Sequence, residues 1–241
     1  MDIKKMSVYC DRVLDLKGAR LGDMHYYQSL SFCVIEAVFS INVRYESTQN
    51  TVIKYCNYFN LKRIRKNRHS IPPIKAQEPI ELFVKRFERH GIDMFTEKIF
   101  NNRQRTSTTS GILKSEAVYR FAQILKKYGV NYFQDVPEVI AKTDFENDIR
   151  SIPGQKSGIS LNYFYMMSGA DDLIKPDRHV LNFVNTGLGK RLNLHVAENV
   201  VYETYQTLKL KYPHLTARLL DNVIWNYQRA LAKKLRTRKM K

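Results

Sequence analysis

Apolar positions along this chain recur mainly at intervals of three and four residues, the spacing that places them on one face of a helix. Runs of strict apolar–polar alternation, which would predict half-buried strands, are scarce. Region 30–59 gives two stripes, one of Leu30, Val34, Ala37, Val38 and Ile41 and one of Val52, Ile53, Cys56 and Phe59. Further helices are predicted on both sides of His90-Gly91, over 112–129, and in two long segments after residue 193. The pattern predicts an all-α fold.

The stretch 145–184 predicts helix, sharp turn, helix, loop and a further helix. Pro153-Gly154 interrupts the helical spacing, because Pro fixes φ and Gly tolerates a positive φ. Gly169 follows the second helix, where glycine commonly ends helices. Pro176-Asp177 then precedes a new apolar pattern, so Asp177 is the predicted N-cap of a helix that ends at Gly187.

This arrangement resembles the helix-hairpin-helix (HhH-GPD) superfamily of DNA glycosylases. Ile152-Pro153-Gly154 is similar to the start of the family's L-P-G-x-G hairpin, which holds a DNA phosphate through backbone N–H groups and in several members a bound cation. The second hairpin glycine is replaced here by Lys156. The resemblance implies that the hairpin binds DNA through Pro153, Gly154, Gln155, Lys156, Ser157 and Gly158.

The resemblance also implies a catalytic role for Asp177, at the helix start where the family places the carboxylate that faces the sugar of the flipped nucleotide. The alternative is a helical hairpin in an ordinary all-α protein, with Asp177 as a helix cap only. Family members with lyase activity carry a nucleophilic Lys at the position of Gly158. Its absence predicts a monofunctional enzyme that leaves an abasic site.

Two further segments match DNA-facing parts of the family. Glu36 falls near the catalytic Glu of the adenine-excising members, and its alternative is a buried carboxylate with a polar partner. Asn42, Arg44 and Tyr45 fall where related enzymes fill the gap left by the flipped base, and their alternative is an ordinary helix terminus.

The segment 101–111 is poor in apolar residues and rich in hydroxyl side chains, which predicts a loop. Arg103 and Arg105 carry the kind of side chain that hydrogen-bonds phosphates, so DNA contact is one hypothesis. A flexible surface loop is the other.

The charge balance agrees with a polyanionic partner. The chain has 241 residues, with 40 Lys and Arg against 23 Asp and Glu, for a formal net charge of +17. Neutralising phosphates releases counterions and favours binding, although RNA or a membrane surface would suit the charge equally. Six of the nine residues in 233–241 are Lys or Arg, and this tail is predicted to be a frayed, solvated end that attracts DNA without specificity.

The cysteines and histidines indicate no metal site. Cys10, Cys33 and Cys56 are widely spaced, and the six His residues lack ligand spacing. Because no cysteine follows Cys56, the iron–sulfur cluster of one family branch is not expected. The resemblance implies no cofactor other than a monovalent cation at the hairpin. No secretory or membrane-spanning run is present, so a cytoplasmic protein is expected, nucleoid-associated if bacterial.

The resemblance implies two helical subdomains, 29–165 with the hairpin motif at about 145–167, and 1–28 plus 166–241, with Asp177 at the cleft between them. The expected protein is a monomer that flips a damaged or modified base from double-stranded DNA and excises it, in repair or in defence against modified phage DNA. The main alternative is a non-catalytic helix-hairpin-helix DNA-binding protein.

Overall fold

The computed structural model describes residues 2–68, 70–109, 111–175 and 177–239, without the side chains of 235, 236, 238 and 239. It is all-α, as predicted. The helices are α1 (Asp2–Val13), α2 (Leu30–Phe39), α3 (Tyr45–Tyr58), α4 (Ile80–Met94), α5 (Lys114–Lys127), α6 (Thr143–Ser151), α7 (Ile159–Ser168), α8 (Arg178–Leu188), α9 (Leu194–Lys209) and α10 (Ala217–Lys239). Short 3₁₀ turns and one π-helical turn, Phe95–Ile99, lie between them.

The chain forms two compact units. The central unit is Gly22–Ser168, and the terminal unit is Met1–Leu21 together with Gly169–Lys241. The predicted subdomain boundaries lie at 28/29 and 165/166. In the terminal unit α1 packs against α8 and α9, and α10 packs against the same two helices.

The central unit is built around α2. All ten residues of this helix are buried, because α3, α5 and α7 pack on different sides of it. The apolar stripe predicted from the sequence is therefore only part of the buried surface. A second cluster of aromatic rings lies beside α4, where the Phe87 and Phe95 rings stack and Tyr55 packs on Phe83 and Phe100.

Glycines end or bend several helices, not always where the sequence predicts. Gly91 interrupts α4 with φ 77°, consistent with the predicted break at His90-Gly91. The prediction that α8 ends at Gly187 is wrong, because the helix continues to Leu188 and Gly189 caps it with φ 72°. A Cβ on Gly187 would lie 2.6 Å from the Tyr9 ring, so this glycine allows α1 to approach closely.

Pro137 lies inside the 3₁₀ turn Phe133–Glu138. One other local prediction needs correction. The basic tail is helical up to Lys239, where a frayed end was predicted, and residues 240 and 241 lie outside the described ranges.

Candidate nucleic-acid interface and carboxylate sites

The predicted hairpin between α6 and α7 consists of two consecutive turns. In the first turn, which spans 152–155, the Gln155 N–H donates to the Ile152 carbonyl at 2.9 Å. Pro153 occupies the second position of this turn, and Gly154 occupies the third with φ 86°. Pro followed by a positive-φ glycine is the arrangement of a type II turn. In the second turn, the Gly158 N–H donates to the Gln155 carbonyl at 3.0 Å.

This turn geometry leaves backbone donors available to a ligand. Gly154, Lys156 and Ser157 are exposed, and within the described residues their N–H groups donate to no protein acceptor. Backbone N–H groups without a protein acceptor can donate to phosphate oxygens. The Gln155 side chain points the other way: it is 2% exposed and accepts a hydrogen bond from the Ser160 hydroxyl. Gln155 therefore holds the turn onto α7.

Two cationic side chains lie at the hairpin. Lys156 is exposed, and an Arg150 Nη1 lies 3.5 Å from the Lys156 carbonyl oxygen. A Cβ on Gly158 would lie 2.6 Å from the Arg150 guanidinium, and Gly158 has φ 73°. The hairpin groove, with a volume of about 660 Å³, is lined by Asn147, Arg150, Ser151, Ile152, Pro153, Gly154 and Lys156.

The loop before α5 packs directly against the hairpin. A Cβ on Gly154 would lie 2.4 Å from the Thr106 Cβ, so the Gly154 backbone lies directly against the Thr106 side chain. The loop is held by its own hydrogen bonds, from the Thr106 N–H to the Ile112 carbonyl at 2.9 Å and from the Arg105 Nε to the Gly111 carbonyl at 2.8 Å. These contacts hold the described part of the loop against the hairpin.

The same loop also contacts the turn between α2 and α3. The buried Lys114 ammonium donates to the carbonyls of Phe39 at 3.1 Å and Ile41 at 2.8 Å. The Gln104 amide donates to the Ser47 hydroxyl at 3.2 Å. The segments 42–47, 102–114 and 150–158 are therefore joined within the central unit.

The predicted residues 42–45 lie at this turn. Asn42 is exposed with φ 55°, and the exposed Arg44 directly precedes α3. The half-buried Tyr45 donates its hydroxyl to the Met24 Sδ at 2.7 Å. Arg44 and Arg103 line one groove, the α3 groove, which consists of Arg44, Glu46, Ser47, Asn50, Thr51, Lys54, Asn101, Asn102 and Arg103. The Arg103 guanidinium also pairs with Glu97 at 2.6 Å.

Glu36 lies inside the central unit, where it is 1% exposed. One carboxylate oxygen accepts from the Tyr27 hydroxyl and from the Gln49 amide at 2.8 Å, and the other accepts from the Tyr163 hydroxyl at 2.6 Å. Burial, and next the Glu36 charge, raise the pKa of Tyr27 well above its usual value. This geometry matches the structural alternative for Glu36, a satisfied carboxylate that ties α2 to α7.

A second buried carboxylate, Glu78, was not found from the sequence. It accepts hydrogen bonds from the hydroxyls of Ser31 at 2.5 Å and Tyr55 at 2.8 Å, and it pairs with Arg86 at 2.7 Å. Burial raises its pKa, while Arg86 opposes that rise. Its partners are distant in sequence, so no local pattern reveals it.

In the terminal unit, Asp177 caps α8 as predicted. Its Oδ1 accepts from the N–H groups of His179 at 2.7 Å and Val180 at 3.2 Å. The positive end of the helix dipole stabilises a negative charge there. Pro176, which completes the predicted Pro-Asp helix start, lies outside the described residues.

Side chains from α10 gather around this helix start. The Trp225 ring meets the His179 ring edge-on at 6.3 Å, and the Arg229 guanidinium lies 4.4 Å from the Trp225 centroid. Burial lowers the pKa of His179 and Asp177 opposes that shift, so the imidazole tends to be neutral. Trp225 and Tyr227 are half-buried, and Tyr227 packs against the core of the terminal unit.

Asp221, one turn before Trp225, was also missed. Burial, and next the negative charge of Asp177, raise its pKa well above the usual value, while the Lys175 backbone N–H donates to it. The helical spacing of Asp221, Trp225 and Arg229 places all three on one face of α10. The sequence shows the spacing of these three residues, but it does not show that this face of α10 meets α8.

Within the described ranges, no group of three or more His, Cys, Asp or Glu side chains could hold a metal ion. Among the same residues, no helix combines the length and the apolar character needed to cross a bilayer.

The described residues thus define a basic all-α protein with a turn of exposed N–H groups in one unit and a capped carboxylate in the other. The chain belongs to the family described as "Domain of unknown function (DUF8548)", whose model matches residues 4–229. No curated protein and no solved structure matches it.

Proposed function

We propose that this protein is a monofunctional DNA glycosylase of the helix-hairpin-helix type. The observation that carries the proposal is the Pro153-Gly154 turn with its exposed N–H groups, followed in sequence by an aspartate that caps a helix. These are the two parts of the motif on which the family resemblance rests. The net charge of +17 supports a nucleic-acid partner.

In the proposed reaction, the hairpin N–H groups and Lys156 bind the DNA backbone, and the target nucleotide rotates out of the stack. The bond between C1′ and the base then breaks, and its electron pair leaves with the base. Positive charge develops on the sugar, and the Asp177 carboxylate stabilises it. A water oxygen bonds to C1′ and gives a proton to Asp177, while the departing base takes a proton from solvent.

The geometry at Gly158 supports the monofunctional assignment. A nucleophilic amine would have to stand on a residue with φ 73° whose Cβ position meets the Arg150 guanidinium. Lys156 and Arg150 are instead suited to phosphate contact, because both lie at the hairpin groove. The product is therefore an abasic site with both strands intact.

The remaining predicted residues support DNA binding in this proposal. Arg44 and Arg103 line the α3 groove, and Arg105, Asn42 and Tyr45 belong to the segments that flank it. Glu36, with both oxygens engaged, acts by holding α2 and α7 together. The excised base and the biological setting, repair or defence against modified phage DNA, stay open.

The deciding experiment incubates duplexes that carry alkylated, oxidised or phage-type modified bases with wild type and with Asp177→Asn, then cuts abasic sites with hot alkali. Asn is as good an N-cap as Asp, so the fold is retained while the charge is lost. We expect alkali-dependent cuts that fall by about 10²–10³-fold in the variant. Asp172→Asn, a change at an exposed position in the preceding loop, is the matched control and keeps full activity.

Two other results would contradict parts of the proposal. Strand cuts without alkali would contradict the role assigned to Gly158 and implicate a different amine. Binding to every duplex with no cuts on any of them would favour the second candidate, a non-catalytic DNA-binding protein. That candidate is supported by Lys156 in place of the hairpin's second glycine and by the burial of Glu36.

A further inference from the structure

Lys114, the first residue of α5, is a buried cation inside the central unit. It is 2% exposed, and its ammonium donates to the carbonyl oxygens of Phe39 at 3.1 Å and Ile41 at 2.8 Å. A third acceptor, the side-chain oxygen of Gln104, lies at 3.4 Å. An ammonium has three N–H donors and loses its hydration on burial, so these oxygens supply the hydrogen bonds that water would otherwise provide.

The two carbonyls belong to the end of α2. Phe39 is the last residue of this helix, and Ile41 follows its capping residue, Ser40. The last carbonyl groups of a helix have no partner within the helix, and the negative end of the helix dipole favours a cation there. Lys114 therefore satisfies the end of α2 from a distant part of the chain, 73 residues after Ile41.

The turn that follows α2 needs contacts that hold it in place. The segment 40–44 joins α2 to α3, and within it Asn42 has φ 55°. A positive φ is unfavourable for a residue with a Cβ, although Asn tolerates it better than most. Lys114 supplies one set of contacts, and the Thr48 hydroxyl, which donates to the same Phe39 carbonyl at 3.2 Å, supplies another.

Arg44 is the cationic residue that this turn presents at the surface. It is exposed, directly precedes α3 and lines the α3 groove. Lys114 does not line that groove, and with 2% exposure its ammonium cannot contact a DNA phosphate. Any specific effect of Lys114 on phosphate contacts must therefore act through the turn.

We propose that Lys114 is a positioning residue, which holds the 40–44 turn against the start of α5 and thereby directs Arg44 toward a DNA phosphate. The role in DNA binding rests on the proposed function, whereas the hold on the turn does not. The alternative is a lysine that only stabilises the packed helices. That alternative predicts a loss of stability without a change in the phosphate contacts of the folded protein.

The first test compares Lys114→Met, which keeps the aliphatic stem and removes the ammonium, with Arg44→Gln and with the double variant. Binding to an undamaged duplex is measured by fluorescence anisotropy over a salt series. Arg44→Gln should reduce the slope of log K against log salt concentration by about 1, since one phosphate contact is lost. Lys114→Met should reduce the slope by the same amount. The double variant should lose no more than either single variant, because both changes remove the same contact.

Lys126→Met is the matched control, because it makes the same substitution at an exposed position of the same helix. It should leave the slope unchanged. An unchanged slope in Lys114→Met would overturn the proposal, and so would a double variant that loses the sum of the two single effects. If Lys114→Met does not fold, Lys114→Gln takes its place. Its shorter side chain keeps an amide donor, so it should show a smaller loss of slope, and no loss would again overturn the proposal.

Hydrogen exchange tests the hold on the turn without DNA. In Lys114→Met the backbone amides of 40–47 should exchange about 10-fold faster than in wild type, while the amides of α9 in the terminal unit keep their rates. Equal rates for 40–47 in the two proteins would contradict the positioning role. If wild type binds no duplex, the proposed function fails together with the phosphate contact of Arg44, and the exchange rates alone decide whether Lys114 holds the turn.

Discussion

At the scale of single residues, two glycines of the central unit share a positive φ but differ in their surroundings. Gly154 combines a positive φ with a Cβ position 2.4 Å from the Thr106 Cβ, which is not a flexible chain end. Gly91 has a similar φ of 77° but nothing within 4 Å of its Cβ position. A comparison of alanine substitutions at the two glycines therefore distinguishes the cost of backbone strain from the cost of steric overlap.

We expect Gly154→Ala to lower the free energy of unfolding by roughly 2–4 kcal/mol, the sum of strain and overpacking. Gly91→Ala, in the same unit, should cost only about 1 kcal/mol, because strain acts alone. Urea denaturation followed by circular dichroism measures both. Equal losses in the two variants would show that the loop and the hairpin do not pack as described.

The buried carboxylates show that residue type alone does not reveal the surroundings of a side chain. Glu36 occupies a position that resembles a catalytic one, yet its oxygens are taken by Tyr27, Gln49 and Tyr163. A buried carboxylate requires such partners, since an unpaired one would be costly. Glu36 joins α2 to α7, and Glu78 contacts side chains of α2, α3 and α4.

At the scale of elements, the hairpin is defined by local rules and the loop beside it is not. Pro153 and Gly154 specify the turn through their own φ preferences. The position of the loop before α5 depends instead on Lys114 reaching the end of α2 and on Thr106 meeting Gly154. Composition predicted a loop there but could not supply these partners.

If the hairpin binds DNA phosphates as proposed, it contributes to the salt dependence of DNA binding. Lys156→Gln should weaken duplex binding and reduce the slope of log K against log salt concentration by about 1, because one phosphate contact is lost. Lys85→Gln removes the same charge from α4 in the same unit, where Lys85 pairs with Glu81 at 2.9 Å. Fluorescence anisotropy over a salt series should show the change in slope for Lys156→Gln and none for Lys85→Gln.

If both variants altered the slope equally, binding would reflect overall charge and not the hairpin. If neither did, the hairpin would not contact phosphate. Both results would count against the backbone-binding role given to the exposed N–H groups.

At the scale of the whole molecule, the net charge of +17 is distributed unevenly along the chain. The last nine residues carry six Lys or Arg and continue α10 as a helix up to Lys239. Such a cationic helix end adds attraction to any duplex without reading its sequence.

Deleting residues 233–241 should therefore reduce affinity for undamaged duplex DNA and lower the salt slope by as much as about 5. Excision at saturating DNA should stay unchanged, since Asp177 and its partners lie outside the deletion. Anisotropy and single-turnover cleavage measure the two effects. A drop in the single-turnover rate would contradict a purely electrostatic role for the tail.

The sequence by itself determined the features that depend on neighbours within a few positions. It predicted the all-α class from apolar periodicity, the hairpin turn from Pro153-Gly154, and the N-cap of α8 from Asp177. The turn and the cap are local interactions, in which the hydrogen-bond donor and acceptor lie within three residues of one another.

Only the tertiary structure decided which distant groups meet. It joined Glu36 to Tyr163, set Thr106 against Gly154, and tied Arg218 of α10 to Asp171. It also showed Gly187 to be a packing position for α1 instead of a helix end. Such pairs are separated by many residues, and their contact depends on how whole helices pack, which no local pattern of side chains specifies.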